Sequence, residues 1–259
     1  MATRVDYPVE TTVPAPARDP VRAAADGGAD ALAFFRLVAE EPLVEALDAQ
    51  PVAAVDHGAR LRQRMLDLVI ASACLLLLWP VMLGVAVLVW LTDPGPIVFR
   101  HKRLGRNGEV FHCLKFRTMR QDADRLLNEL LIASPALMAE WIRERKLRND
   151  PRITPVGGFL RRYSLDELPQ LINVLRGEMS IVGPRPLSTD EAHYYGNAYP
   201  LFSSINPGIT GLWQVSGRND VSYPRRVQLD CQYVRTRCVR GDLMILLRTV
   251  PVIFGGTGY

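Results

Sequence analysis

Hydrophobic and polar positions are sharply segregated along this chain. Between 65 and 91 (MLDLVIASACLLLLWPVMLGVAVLVWL) the only charged residue is Asp67. As a straight helix this stretch would measure about 40 Å, enough for a hydrocarbon core of about 30 Å. A core helix of that length is rarely apolar on every face, so membrane insertion is the expectation. Pro80 sits near the middle, where it removes a backbone hydrogen bond and crowds the preceding turn. The arms 65–79 and 81–91 would reach about 22 Å and about 16 Å, so neither crosses alone. Arg60, Arg62 and Arg64 precede the segment, and Arg100, Lys102, Arg103 and Arg106 follow it. A simple span puts one of these clusters on the outer face, against the positive-inside tendency. A re-entrant hairpin bent at Pro80 keeps both in the cytosol, against anionic lipid. A kinked but ordinary span is the alternative, because membrane helices tolerate proline.

Elsewhere the periods are shorter. Residues 97–119 alternate around an Arg-Asn-Gly turn and predict a hairpin leading into a helix. Residues 120–148 read as helix broken near Pro135, with an apolar and a basic side that suit a membrane surface or a globular core equally. Beyond 150, short helices alternate with Pro/Gly-rich loops. The final apolar run, 243–254, contains Arg248 and Pro251, which argue against a second span. Residues 1 to about 28 carry no apolar period and read as a disordered tail. Residues 30–50 have an amphipathic pattern interrupted by Pro42, and no secretory signal peptide is expected. The organisation expected is an N-terminal extension (1–60), a membrane segment (61–96) and a catalytic domain (97–259). The fold class is α+β, predominantly α: a re-entrant membrane helix-hairpin, interfacial amphipathic helices and a small cytosolic catalytic domain.

Composition narrows the partners only through position. The 259 residues are 48% hydrophobic and 22% charged, with a net charge of +4. That suits lipid headgroups, phosphate substrates or nucleic acid alike. The basic residues bracket an apolar segment without interleaved aromatics, so nucleic acid is not an expected partner. Cys74, Cys113, Cys231 and Cys238 form no C-x-x-C pair, and the histidines lack ligand spacing, so neither zinc nor a disulfide framework is expected.

The chemistry concentrates in 161–186, RRYSLDELPQLINVLRGEMSIVGPRP. Ser164 to Glu167 reads as S-x-x-E, a helix capping box, with acids in the first turn where the dipole favours them. Pro169 would then fall at the fifth helical position and cost an intrahelical bond, whereas a start nearer Asp166 abolishes the box. The other reading is chemical. Asp166 and Glu167 lie among Arg161, Arg162, Arg176 and Arg185, and two acids among fixed cations suit a divalent metal and a diphosphate held together. For Arg162 and Arg176 a solvated basic surface suffices.

The run SLDELPQLINVLRGEMSIVGPRP resembles the signature of the bacterial sugar transferases, the monotopic polyprenol-phosphate phosphoglycosyltransferases. The resemblance extends through Lys115-Phe116-Arg117-Thr118-Met119, Asn149-Asp150-Pro151-Arg152-Ile153-Thr154 and PGITGLWQVSGRN (207–219). It continues to Asp230 with Tyr233, Asp242 and the closing Gly-Tyr, covering about residues 60–259. It implies transfer of a hexose 1-phosphate, galactose or glucose, from a UDP-sugar to polyprenyl (undecaprenyl) phosphate. UMP would be released through a covalent phosphosugar-aspartate, as the initiating step of exopolysaccharide, O-antigen or glycoconjugate synthesis. The place implied is the bacterial inner membrane, with the active site on its cytoplasmic face. By the same resemblance Asp166 is the nucleophile, Glu167 its partner, and Mg²⁺ the cofactor on both. Lys115, Arg161, Arg185, Arg218 and Asp230 match positions that contact the nucleotide sugar or phosphates. The carrier phosphate is mostly dianionic at pH 7 and needs little proton removal, so Glu167 is expected to act as metal ligand or positioner rather than general base. The partners are then the UDP-sugar, the lipid carrier and anionic membrane lipids; a homodimer is left open. Two residues depart from the pattern: Trp79 precedes the hairpin proline where serine is frequent, and Tyr163 stands where threonine is. Competing readings are direct displacement with both carboxylates binding only metal, and a catalytically silent anchor or scaffold of a polysaccharide assembly complex.

Overall fold

The apolar segment forms one helix, α1 (His57–Thr92), in a computed structural model that describes residues 57–259 apart from 145–146, 148, 218–220 and 256–259. The expectations for the N-terminal tail, for Arg218 and for the closing Gly-Tyr lie outside the described residues. Helical backbone is continuous through this stretch, with Pro80 inside the helix. One row of side chains on α1 packs inward: Asp67, Ala71, Val85 and Val89 are buried, with Cys74, Met82 and Ala86 half-buried between them. Leu76, Leu77, Trp79, Leu83, Val87, Leu88, Trp90 and Leu91 stand exposed. The helix is long and apolar enough to cross a membrane, and only 11% of its most apolar window is buried within the protein, which is not how a core helix sits.

Both halves of α1 rest on the folded unit that follows. Ile70, Ala71, Cys74 and Leu75 join the main core with Leu171, Val174 and Ile181, while Val85 and Val89 join a second cluster with Phe116 and Leu160. Polar ties fix each end. Arg64 donates to the Val174 and Leu175 carbonyls (2.5 and 2.8 Å), and the Asp67 carboxylate accepts from the Ile181 N–H (2.8 Å). Just past the other end, Asp93 accepts from the Gln121 N–H and pairs with Arg117.

The predicted hairpin is present. β1 (Val98–Leu104) pairs antiparallel with β2 (Val110–Phe116), and the turn between them, Arg106–Gly108, carries Asn107 and Gly108 at positive φ (56° and 77°). Only Gly and Asn take that conformation at little cost, which is why the Asn-Gly pair marks the turn. The predicted break near Pro135 separates α2 (Ala123–Ala133) from α3 (Pro135–Glu144). α2 buries no residue, and Ile132 and Ile142 are exposed, so this pair does not pack its apolar side into the core.

The remainder runs through α4 (Pro155–Arg162), α5 (Gln170–Arg176), β3 (Ser180–Val182), α6 (Tyr199–Ser203), β4 (Gly208–Thr210), α7 (Tyr223–Thr236) and α8 (Val239–Phe254). β3 and β4 pair in parallel, joining the SIVGPRP and PGIT runs of the sequence. Gly183 and Gly208 meet backbone to backbone at this junction, where a side chain on either would collide with the other. The chain is therefore α+β and mostly helical, with two small sheets among the described residues.

Candidate active site

Three chain segments meet at the paired acids. Thr154 caps α4, its hydroxyl accepting from the Gly157 N–H (2.9 Å), and Pro155 follows at the first helical position. Gly157 lies so close to the Thr118 carbonyl that a Cβ would collide with it. Around this contact the 115–119 and 149–154 segments are zipped together: Thr154 N–H donates to Thr118 O (3.0 Å) and Arg120 N–H to Arg152 O (2.8 Å). Asp150 accepts both Nε and Nη2 of Arg152 (2.8 and 2.6 Å). Burial works to raise the Asp150 carboxyl, but this fork outweighs it and holds the group below the ordinary carboxylate range. Arg161, near the end of α4, is steadied by donating from Nε to the Thr118 hydroxyl (2.9 Å).

After α4 the chain does not make the capping box. Ser164 adopts left-handed backbone (φ 56°, ψ 22°) with no side-chain cap, and Leu165–Glu167 form a single 3-10 turn. α5 begins only after Pro169, which so costs no interior hydrogen bond. Asp166 and Glu167 are thus presented on a tight turn and are not used to cap a helix. Asp166 is only 7% exposed. Lys115, from β2, donates to Glu167 Oε1 at 2.6 Å and stands 3.9 Å from Asp166 Oδ2. Burial pushes the Asp166 carboxyl up to about 6 and its neighbour Glu167 pushes the same way, while Lys115 and Arg161 pull it down.

Asn173 fixes this arrangement from behind. Wholly buried on α5, it accepts from the Leu114 N–H (3.0 Å) and donates to the His112 carbonyl (2.8 Å) and the Glu178 carboxylate (2.6 Å). The helix following the acids is thereby bolted to the strand carrying Lys115. No group of three His, Cys, Asp or Glu side chains suited to a metal occurs among the described residues. A hard divalent ion commonly takes one or two carboxylates and completes its shell with water and substrate phosphate, and Asp166 with Glu167 fits that pattern.

The model of the bacterial sugar transferase family matches residues 58–256, which include every element just described. This chain belongs to that family. It is 48% identical over 204 residues to the exopolysaccharide production protein ExoY of Sinorhizobium fredii, covering 79% of this chain and 90% of the relative. It is also 45% identical over 205 residues to the undecaprenyl-phosphate galactose phosphotransferase of Salmonella typhimurium (78% of this chain, 42% of the relative). With the UDP-glucose:undecaprenyl-phosphate glucose-1-phosphate transferase of Escherichia coli it shares 38% over 218 residues (81% and 43%).

In this sugar transferase the fold brings Lys115, Arg161, Asp166 and Glu167 into one site. Arg185 stands further along, on the loop that Gly183 and Pro184 lock onto β4, with its guanidinium 5.9 Å from the Trp213 ring. On the same face of the hairpin as Lys115, His101 and Arg103 continue the row toward Arg185. Burial first, then Arg103 and Lys115, lowers His101 to about 4, so the row's histidine is neutral at pH 7. Asp230 is placed differently. It is 0% exposed on α7, accepts from the Tyr195 hydroxyl (2.6 Å), and its other oxygen has no partner. Burial raises it to about 7 against the pull of Tyr195, Arg226 and Arg185. The Arg226 guanidinium, whose charge acts on this carboxyl, lies over Trp213 (4.7 Å) and Tyr223 (5.0 Å). Sequence reasoning missed Asn173, Thr118 and Arg226. The amide between core residues Leu171 and Val174 was a usable signal for the first, and Thr118 stood in the KFRTM run without a role of its own; Arg226 carried none.

Proposed function

We propose that this chain transfers a hexose 1-phosphate from a UDP-sugar to polyprenyl phosphate at the cytoplasmic face of the membrane, releasing UMP and initiating exopolysaccharide synthesis. The observation that carries this reading is Asp166: an enclosed carboxylate on a 3-10 turn, flanked by Lys115 and Arg161 and spent on no helix cap. One relative is named for galactose and another for glucose, each with undecaprenyl phosphate, which supports either hexose as the sugar.

An Asp166 oxygen attacks the sugar-side phosphorus of the diphosphate; an O–P bond forms, the bond to UMP breaks, and UMP leaves with its electrons. An oxygen of the carrier phosphate then attacks the same phosphorus, the acyl-phosphate bond breaks, and the Asp166 carboxylate returns. Lys115 and Arg161 offset the repulsion between carboxylate and diphosphate, and Lys115 holds Glu167 in place. Mg²⁺ held by Asp166 and Glu167 would neutralise the diphosphate and stabilise the leaving phosphate. The scaffold reading has no use for a buried carboxylate that caps no helix and is ringed by Lys115 and Arg161.

α1 supports a membrane-dipping attachment. Arg60 before the apolar segment and Arg106 after it line one cavity, and the charged domain packs along both halves of the helix. A helix crossing the bilayer would pull that domain into hydrocarbon with it.

The test is to incubate the full chain in membranes with a panel of UDP-hexoses and polyprenyl phosphate, following UMP. UMP release with at least one hexose is expected, together with labelled protein when the lipid is omitted; silence across the panel overturns the reading. The pH dependence provides a second check. Because Asp166 must be ionised to attack, turnover is expected to fall about tenfold per unit below its value of about 6 and to flatten above about 7. A profile that rises as the pH falls from 7 to 5 would contradict attack by the Asp166 carboxylate.

A further inference from the structure

Away from the dyad, a cavity of about 410 Å³ opens beside the start of α1, lined by Arg60, Arg64, Asp67, Arg106, Asn206 and Arg237 among others. Its arginines come from three separated parts of the chain: the first turns of α1, the tip of the β1–β2 hairpin, and the corner between α7 and α8. Most polar groups here are already engaged. Arg64 is spent on the Val174 and Leu175 carbonyls, Asn206 donates to Gly177 O (2.8 Å), and Asp67 accepts from Ile181 N–H. Arg237 gives Nη1 to Gln63 (3.2 Å), and the nearby Asp242 is taken up by the Tyr233 hydroxyl (2.8 Å).

What remains is an excess of donors. Arg106 Nε and Arg237 Nη2 are buried and have no acceptor. Burial, together with the like charges of Arg60 and Arg106, holds the Arg237 guanidinium below its ordinary range. Buried N–H groups left unpaired and like charges left facing one another both cost free energy, and one oxyanion relieves both. Guanidinium forks match the oxygens of phosphates, as of carboxylates, two at a time, and a phosphate group can serve more than one fork at once.

We propose that Arg60, Arg106 and Arg237 form a second phosphate-binding site, separate from the dyad, that takes the phosphate of an anionic lipid headgroup or of a soluble phosphate compound. Arg60 lies little more than one helical turn before the apolar run begins, which sets the cavity at headgroup level once α1 is inserted. A lipid phosphate held there would tie the hairpin tip and the α7–α8 corner to the membrane surface.

The full chain in neutral detergent would be titrated calorimetrically with inorganic phosphate, dihexanoyl phosphatidylglycerol and the zwitterionic dihexanoyl phosphatidylcholine. The same titrations would be run on Arg60→Gln, Arg106→Gln and Arg237→Gln. At least a tenfold loss of affinity is expected in each variant. Loss confined to phosphatidylglycerol assigns the site to a lipid headgroup; loss confined to inorganic phosphate assigns it to a soluble compound; loss of both supports the shared chemistry. Arg106→Lys keeps the charge but not the fork and is expected to be intermediate, which separates recognition from misfolding. Lys115→Gln, which damages the dyad, should leave this binding unchanged, so failure here is distinct from failure of the transferase reading. Affinities equal in wild type and all three variants, or no binding of either anion, would overturn the site.

Discussion

Asp166→Asn is expected to lower transfer by about a thousandfold or more, because the amide cannot form the acyl-phosphate bond. No label should stay on the variant when a radiolabelled UDP-sugar is supplied without lipid. The fold should gain from the change. Asp166 sits near 6 in the folded chain against 3.8 for the free group, so the folded state prefers the protonated carboxyl. Its favourable contribution is fully present below about pH 4 and is lost as the pH rises through about 6. The variant should therefore match wild type in stability near pH 4 and exceed it at pH 8, as urea titrations at both values would read. A variant that is inactive because it is unfolded at pH 8 contradicts the account, since asparagine relieves a buried charge.

The largest effect on stability is expected at Asn173. Alanine there removes three hydrogen bonds at once and leaves the Leu114 N–H, the His112 carbonyl and the Glu178 carboxylate without their partner. Buried groups orphaned in this way cost about 2–4 kcal/mol together, or a melting point lower by roughly 5–15 °C in a domain of this size. Because the same amide holds α5 against β2, Lys115 should also drift from Glu167, and transfer should fall even where the variant is folded. A melting curve that coincides with wild type would show that Asn173 carries none of this load.

The parts of this fold that were legible in the sequence are those specified by local chemistry. Alternation and an Asn-Gly turn gave the β1–β2 hairpin, Pro135 gave the α2–α3 break, and the apolar run gave α1. Ser164 to Glu167 was ambiguous because S-x-x-E is the same string in a capping box and in this 3-10 turn. The difference lies in the φ of Ser164 and in where Pro169 allows α5 to begin. The parallel β3–β4 pairing was not legible, since two strands of three residues each carry no period of their own. Lys115, Arg161, Asp166 and Glu167 were named as candidates from the sequence, and the fold gathers them. Asp230 was named alongside them, and the fold sets it apart from that group, enclosed on α7 beside the Tyr195 hydroxyl, a placement that only the packed chain reveals.

The inward row of α1 gives the anchor a role that a leash would not have. Asp67 meets the amide of Ile181 at the start of the parallel pair, and Ala71 and Val85 close over two hydrophobic clusters. Exchanging this segment for an unrelated transmembrane tether would strip a wall from the enzyme as well as its hold on lipid. A water-soluble version would instead have to repaint the outward side, from Leu76 and Leu77 through Trp79, Leu83, Val87 and Leu88 to Trp90 and Leu91, and leave the inward row as it stands.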